Sequence, residues 1–156
     1  MTSDLDLRGV WVPLITPFDA QGAVDVKAIE RLCHDALAAG VTGIVALGTT
    51  GEASALEDDE KQLVVTTISQ VCASAGARVI VGTGSNNTRH TIEATEALEG
   101  IPAVVAALVV VPYYVRPRTD ARSKAQPRAR QQRPVCPPAL RSPRSYGVCC
   151  SNRYRR

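Results

Sequence analysis

At 156 residues the chain is long enough for one domain with a sizeable core, since single domains commonly run to roughly 100–150 residues. Its 45% hydrophobic content and formal net charge of +3 are ordinary for a globular protein. No run approaches the roughly 18 apolar residues of a membrane span and no apolar stretch follows the first charged residues, so a cytoplasmic protein without a secretory leader or membrane segment is expected.

The first apolar run, residues 9–15, reads as a strand that ends in a loop fixed by Pro13 and Pro17. Residues 25–39 place Val26, Ile29, Leu32, Cys33, Ala36 and Leu37 on one helical face, with Asp25 as N-cap and Gly40 as the stop. A second strand, 43–47, is apolar throughout, as expected of a strand covered on both faces. The next helix, 57–75, follows Ser54 with Glu57 three residues on, the spacing of a capping box, and has an acidic first turn that complements the helix dipole. Residues 78–81 form a third strand. After the polar turn 84–87, residues 88–98 form a third helix and 106–111 a fourth strand, again apolar and expected to be covered on both faces.

Strands alternating with helices point to a parallel sheet. The strand ends at Ile15, Leu47, Val81 and Val110 are 32, 34 and 29 residues apart, close to the roughly 31 expected per unit of a 250-residue eightfold barrel. Residues 1–117 therefore read as about the first four βα units of a (β/α)8 TIM barrel. A doubly wound nucleotide-binding sheet is the rival, but Gly82-Thr83-Gly84 lacks the third glycine of that fingerprint.

Chemistry gathers where strands end. Gly48-Thr49-Thr50-Gly51-Glu52 follows the second strand; its glycines let backbone N–H groups approach a ligand, and its hydroxyls and the nearby helix start suit a small carboxylate. A tight turn that uses the same residues only for its geometry is the plainer reading. Tyr113 and Tyr114 follow the fourth strand, where a phenol can pass protons or hold a substrate oxygen, or where the rings can simply pack an interface. His34 and His90 have no partners at metal-ligand spacing and read as solvated or capping residues. No pair among Cys33, Cys72, Cys136, Cys149 and Cys150 has C-x-x-C spacing, so neither zinc nor dithiol chemistry is indicated, and no metal or other cofactor is expected.

The strings LITPFDAQGAV, ALGTTGEASALEDDEK, VIVGTGSNNT and VVPYYVRP, in this order, resemble the dihydrodipicolinate synthase and N-acetylneuraminate lyase family over residues 9–117. The resemblance implies a pyruvate-dependent lyase of lysine biosynthesis, condensing pyruvate with a small aldehyde, aspartate semialdehyde, through a lysine Schiff base. It implies that Thr49 is a proton-relay residue and that Thr50 binds the pyruvate carboxylate, with Gly48 and Gly51 as further substrate-binding positions. Tyr114 would reach into a neighbouring subunit's site, with Tyr113 as its interface neighbour in a homotetramer. The family's Schiff-base lysine, on a sixth strand, has no counterpart among Lys27, Lys61 and Lys124, and the fifth-strand YNxPxR segment is missing.

Past Pro117 the character of the sequence changes. Residues 1–117 carry seven basic and fourteen acidic side chains, whereas residues 118–156 carry ten Arg, one Lys and one acid, Asp120, with five Pro and a single Leu. Such a segment buries too little apolar surface to offset its ordering entropy and is expected to be a disordered tail. Its composition is that of an out-of-frame reading of G+C-rich coding DNA, so an inactive, frameshifted fragment is the expectation. The alternative is a half-barrel scaffold whose basic tail binds nucleic acid or an anionic surface; with Tyr146 and Tyr154 as the only aromatics of the tail and no binding module visible, nucleic acid is the less favoured partner.

Overall fold

The computed structural model describes residues 6–110, Tyr113 and the pair Val148–Cys149. Strands and helices alternate as β1 (Trp11–Pro13), α1 (Val26–Ala38), β2 (Gly43–Ala46), α2 (Asp58–Ser74), β3 (Arg78–Gly82), α3 (Thr88–Glu96) and β4 (Val104–Val109). All pairings between these strands are parallel and their order is sequential, from β1 to β4. A doubly wound sheet reverses its strand order at a switch point. The absence of such a reversal among the described strands separates this chain from the nucleotide-binding rival and matches a barrel that winds in one direction.

Both caps of α1 are as its sequence demands. The Asp25 carboxylate accepts from Ala28 N–H at 2.9 Å, and at the far end Gly40, at φ +83°, leaves the helix in a conformation that costs other residues strain. The start of α2 differs from the expected box: Glu57, not Ser54, is the N-cap, and its N–H donates to the Glu60 carboxylate at 2.9 Å. The same spacing of three recurs one turn later, with Glu60 as the returning acid. Strand β1 is shorter than expected because the chain leaves the sheet after Pro13, although Leu14 N–H still donates to Val45 O at 3.2 Å.

One face of the sheet packs on the helices. Ile44, Ala46, Val79, Val81 and Ala107 meet Ile29 and Cys33 of α1, Val64, Val65, Ile68 and Cys72 of α2, and Leu98 beyond α3 in a single core. Each large aliphatic side chain buried there contributes about 1.5–3 kcal/mol relative to exposure. Burial pushes the Cys72 thiol up to about 11 and the Cys33 thiol up to about 12, with smaller contributions from Cys72 and Glu30 in the second case.

The other face is apolar but only partly covered. Register aligns Pro13, Val45, Ile80 and Ala106 across it. Ile80 and Ala106 are buried, Val45 is half-buried, and Ile15 and Val110, just past the strand ends, are 53% and 38% exposed. Strand β2 thus meets the expectation of cover on both faces more fully than β4, whose Val104, Val105, Leu108 and Val109 stay half-buried. At the opposite end of the strands, Trp11 lies over Gly43 and donates to Leu7 O at 3.0 Å, and Arg78 donates to Asp6 O at 3.0 Å. The Arg8 guanidinium, hydrogen-bonded to Asp6, holds that carboxyl at about 2.

Of the expected tail, only Val148–Cys149 lies within the described residues. It forms a two-residue strand, β5, paired parallel to β4 at Leu108 and Val109. The rest of residues 118–156 lies outside the described residues.

Candidate functional site at the carboxyl ends of the strands

Strand β2 runs directly into a 3₁₀ turn, Thr49–Gly51, closed by Gly51 N–H donating to Gly48 O at 2.9 Å and Glu52 N–H donating to Thr49 O at 3.2 Å. The left-handed conformations expected of glycines fall instead on the flanking residues, Leu47 at φ +53° and Glu52 at φ +51°. Gly48 is extended, and a Cβ there would make only an ordinary 3.6 Å contact with Val45. Non-glycine residues in this region carry strain of about 1–3 kcal/mol, which persists where the surroundings hold it in place.

Those surroundings are the neighbouring strand ends. Thr16 Oγ1, after β1, donates to Gly51 O at 2.8 Å, and a Cβ on Gly51 would stand 3.1 Å from Leu14 O. On the other side a Cβ on Gly82 would collide with the Leu47 carbonyl oxygen and stand 3.3 Å from Gly48 N. The turn is therefore gripped between the exits of β1 and β3. Close approach, rather than an unusual backbone angle, explains the glycines at 51 and 82.

Held this way, Thr49 and Thr50 are exposed. Among the described residues, no protein group takes their hydroxyls or backbone N–H groups. Two hydroxyls and two N–H donors at adjacent positions suit an anion, and hydrogen bonds to a charged oxygen are roughly twice as strong as neutral ones. The helix start expected to help is less suited: α2 begins seven residues after Gly51 and opens with Asp58, Asp59 and Glu60. Lys61 hydrogen-bonds Asp58 at 2.9 Å and holds its carboxyl below the usual range.

A second cluster follows β3. The Thr95 hydroxyl donates to Thr91 O at 2.6 Å, so in its 2.9 Å contact with Thr83 it is the acceptor and Thr83 the donor. Asn87 caps α3 by accepting from Arg89 and His90 N–H. Asn86 reaches across to β4, its side-chain oxygen accepting from Tyr113 N–H at 2.8 Å. The structure thus brings Gly48, Thr49, Thr50 and Gly51 together in one turn and places Tyr113, half exposed, beyond β4, with β3 between the two. Tyr114 lies outside the described residues. His34 and His90 are both exposed. The sequence reading missed Thr16, Asn86 and the buried Thr83–Thr95 pair, although Thr16, Thr83 and Asn86 follow predicted strand ends and Thr95 lies on the predicted third helix.

Comparison with known proteins shows what the chain is similar to in sequence and fold. The Dihydrodipicolinate synthetase family profile matches residues 6–124. The 4-hydroxy-tetrahydrodipicolinate synthase of Oenococcus oeni is 45% identical over 118 residues, covering 75% of this chain and 40% of that protein. Among solved structures, the chloride-inhibited dihydrodipicolinate synthase of Acinetobacter baumannii, complexed with pyruvate, is 40% identical with a TM-score of 0.68, covering 72% of this chain and 38% of that one. A prophage protein of the same family from E. coli K12, also in complex with pyruvate, is 29% identical with a TM-score of 0.66, again covering 72% and 38%. This chain spans about 40% of the length of such relatives, and its parallel architecture is part of their TIM barrel. No helix among the described residues is long and apolar enough to cross a membrane. The family profile, the identity to relatives and the parallel strand order agree: the chain belongs to the dihydrodipicolinate synthetase family.

Proposed function

We propose that this chain carries the pyruvate-binding part of a 4-hydroxy-tetrahydrodipicolinate synthase, a lyase that joins pyruvate to a small aldehyde, aspartate semialdehyde, on the route to diaminopimelate and lysine. The observation that carries this reading is the turn Gly48–Gly51, whose Thr49 and Thr50 hydroxyls and N–H groups stand open at the carboxyl end of β2. Thr50 binds the pyruvate carboxylate through its hydroxyl and N–H. Thr49 passes a proton, Tyr114 extends that relay to the site of a neighbouring copy in a homotetramer, and Tyr113 packs beside it.

The condensation itself needs an amine to form a Schiff base with the pyruvate keto group, which then draws off electrons as the carbon–carbon bond forms. Of the three lysines, Lys27 stands on α1, Lys61 on α2, where it pairs with Asp58, and Lys124 lies outside the described residues. Neither helical lysine is at the carboxyl end of a strand. We read these 156 residues as binding pyruvate without supplying the amine, and so as inactive in the condensation on their own.

Two measurements on the 156-residue chain test this. Titration with pyruvate, followed by amide NMR, is expected to shift the resonances of Gly48 to Gly51. Thr50→Val is expected to weaken binding about tenfold, the worth of one charge-assisted hydrogen bond. Borohydride added with pyruvate is expected to leave no covalent adduct. Unshifted loop resonances overturn the binding assignment; a reduced adduct on any lysine overturns the inactivity.

A further inference from the structure

The exit of β4 is held from the side rather than by its own strand. A Cβ on Gly84 would stand 2.5 Å from Val110 N and 2.7 Å from Val110 Cγ2, so the loop after β3 lies directly against the end of β4. Two positions after Gly84 and three after Val110, Asn86 Oδ1 accepts from Tyr113 N–H at 2.8 Å. Thr83 N–H donates to Leu108 O at 3.1 Å just before these contacts begin. Three successive ties therefore run from residues 83–86 to residues 108–113. The last is a hydrogen bond accepted by a side chain.

The base from which Asn86 reaches is itself rigid. Ser85 N–H donates to Thr91 Oγ1 at 3.1 Å, Asn87 N–H to Ser85 Oγ at 3.0 Å, and Ser85 Oγ to Asn87 O at 2.9 Å. The side chain of Asn87 is committed to the α3 cap, so the two adjacent asparagines divide their work, one turned to its own helix and the other to the next strand.

We propose that Asn86 is a positioning residue: by accepting from the Tyr113 N–H it fixes the Tyr113 backbone beyond β4, and through it where Tyr113, one of the two tyrosines that follow that strand in sequence, meets a second copy of this chain. The proposal rests on the reading of those tyrosines as contacts to a neighbouring copy. Asn86 is exposed and takes no part in the α3 cap or the core, so its replacement leaves the fold intact.

The test compares the full chain with Asn86→Leu, which removes the acceptor, and Asn86→Asp, which keeps an acceptor oxygen, with Tyr113→Ala as the control for the interface. Hydrogen exchange of the Tyr113 amide and the self-association constant from sedimentation velocity are measured for each. Asn86→Leu is expected to speed exchange and to weaken association, each about tenfold, and Asn86→Asp to restore both, with circular dichroism unchanged throughout. Unchanged Tyr113 exchange in Asn86→Leu overturns the proposal. So does unchanged association in Asn86→Leu where Tyr113→Ala weakens it, and then the interface reading survives. If Tyr113→Ala also leaves association unchanged, the interface reading falls, and the proposal with it.

Discussion

Leu47 and Glu52 hold left-handed backbone angles on either side of the Thr49–Gly51 turn, and neither could be picked out from residue type. A sequence reader assigns unusual angles to glycine, yet at Gly48 the backbone is extended. The pairing of Gly82 with the Leu47 carbonyl shows why: residue 82 is small so that its neighbour's backbone can come close, a contact between positions 35 apart that no local pattern encodes. The hydroxyls of Thr49 and Thr50, by contrast, were legible because they follow an apolar run directly. The buried thiols give a residue-scale test. Both have folded pKa values raised above the ordinary thiol value, so their contribution is fully present below about pH 8.5, the usual unfolded value. It is lost as pH rises through about 11 for Cys72 and about 12 for Cys33. Stability measured by urea denaturation is expected to fall between pH 9 and 11, the range over which unfolded thiols ionise first. Alkylation mapped by mass spectrometry at pH 8 is expected to modify Cys33 and Cys72 only once urea is added, and rapid labelling of either in the native chain would contradict their burial.

At the scale of elements, the helices were the most readable part. Asp25 before an apolar stripe and Gly40 after it bound α1 within a residue of the expected span. The capping interaction is local, and local interactions can be read from spacing. Asp25→Ala removes the acceptor of Ala28 N–H and is expected to cost about 1 kcal/mol, seen as a lower urea midpoint at unchanged slope. A midpoint equal to that of the wild type would mean that α1 is held by packing alone. The start of α2 was legible to within one residue, but its capping pair was placed three residues early because Ser54 and Glu57 share the spacing of Glu57 and Glu60. Strand β4 was placed two residues late, since Val104 and Val105 follow Ala103, at φ +62°, with no conventional turn signal between. The register shift between β3 and β4 near Val79 and Ile80 is likewise a property of the pair and not of either strand's sequence.

For the whole molecule, the spacing of the strand ends anticipated parallel units of barrel length, and the sequential strand order is what excluded the doubly wound rival. The consequence for solution behaviour is the half-covered sheet face with Ile15 and Val110 exposed at its rim. Contiguous apolar surface of this kind drives association. The chain is expected to bind the dye ANS and to form oligomers at micromolar concentration, and Ile15→Asp is expected to reduce dye fluorescence several-fold. A well-dispersed NMR spectrum of a monomer that ignores the dye would show the face to be covered.

The strand order also has a temporal meaning. Because each of the first four strands pairs with the one made just before it, the order in space repeats the order of synthesis. A nascent chain emerging residue by residue always finds its partner already made, and loop closure spans only about thirty residues at each step, so the entropic toll per step stays nearly constant. Assembly can then proceed like a zip from β1 toward β4, and at every moment the newest strand is the template awaiting the next.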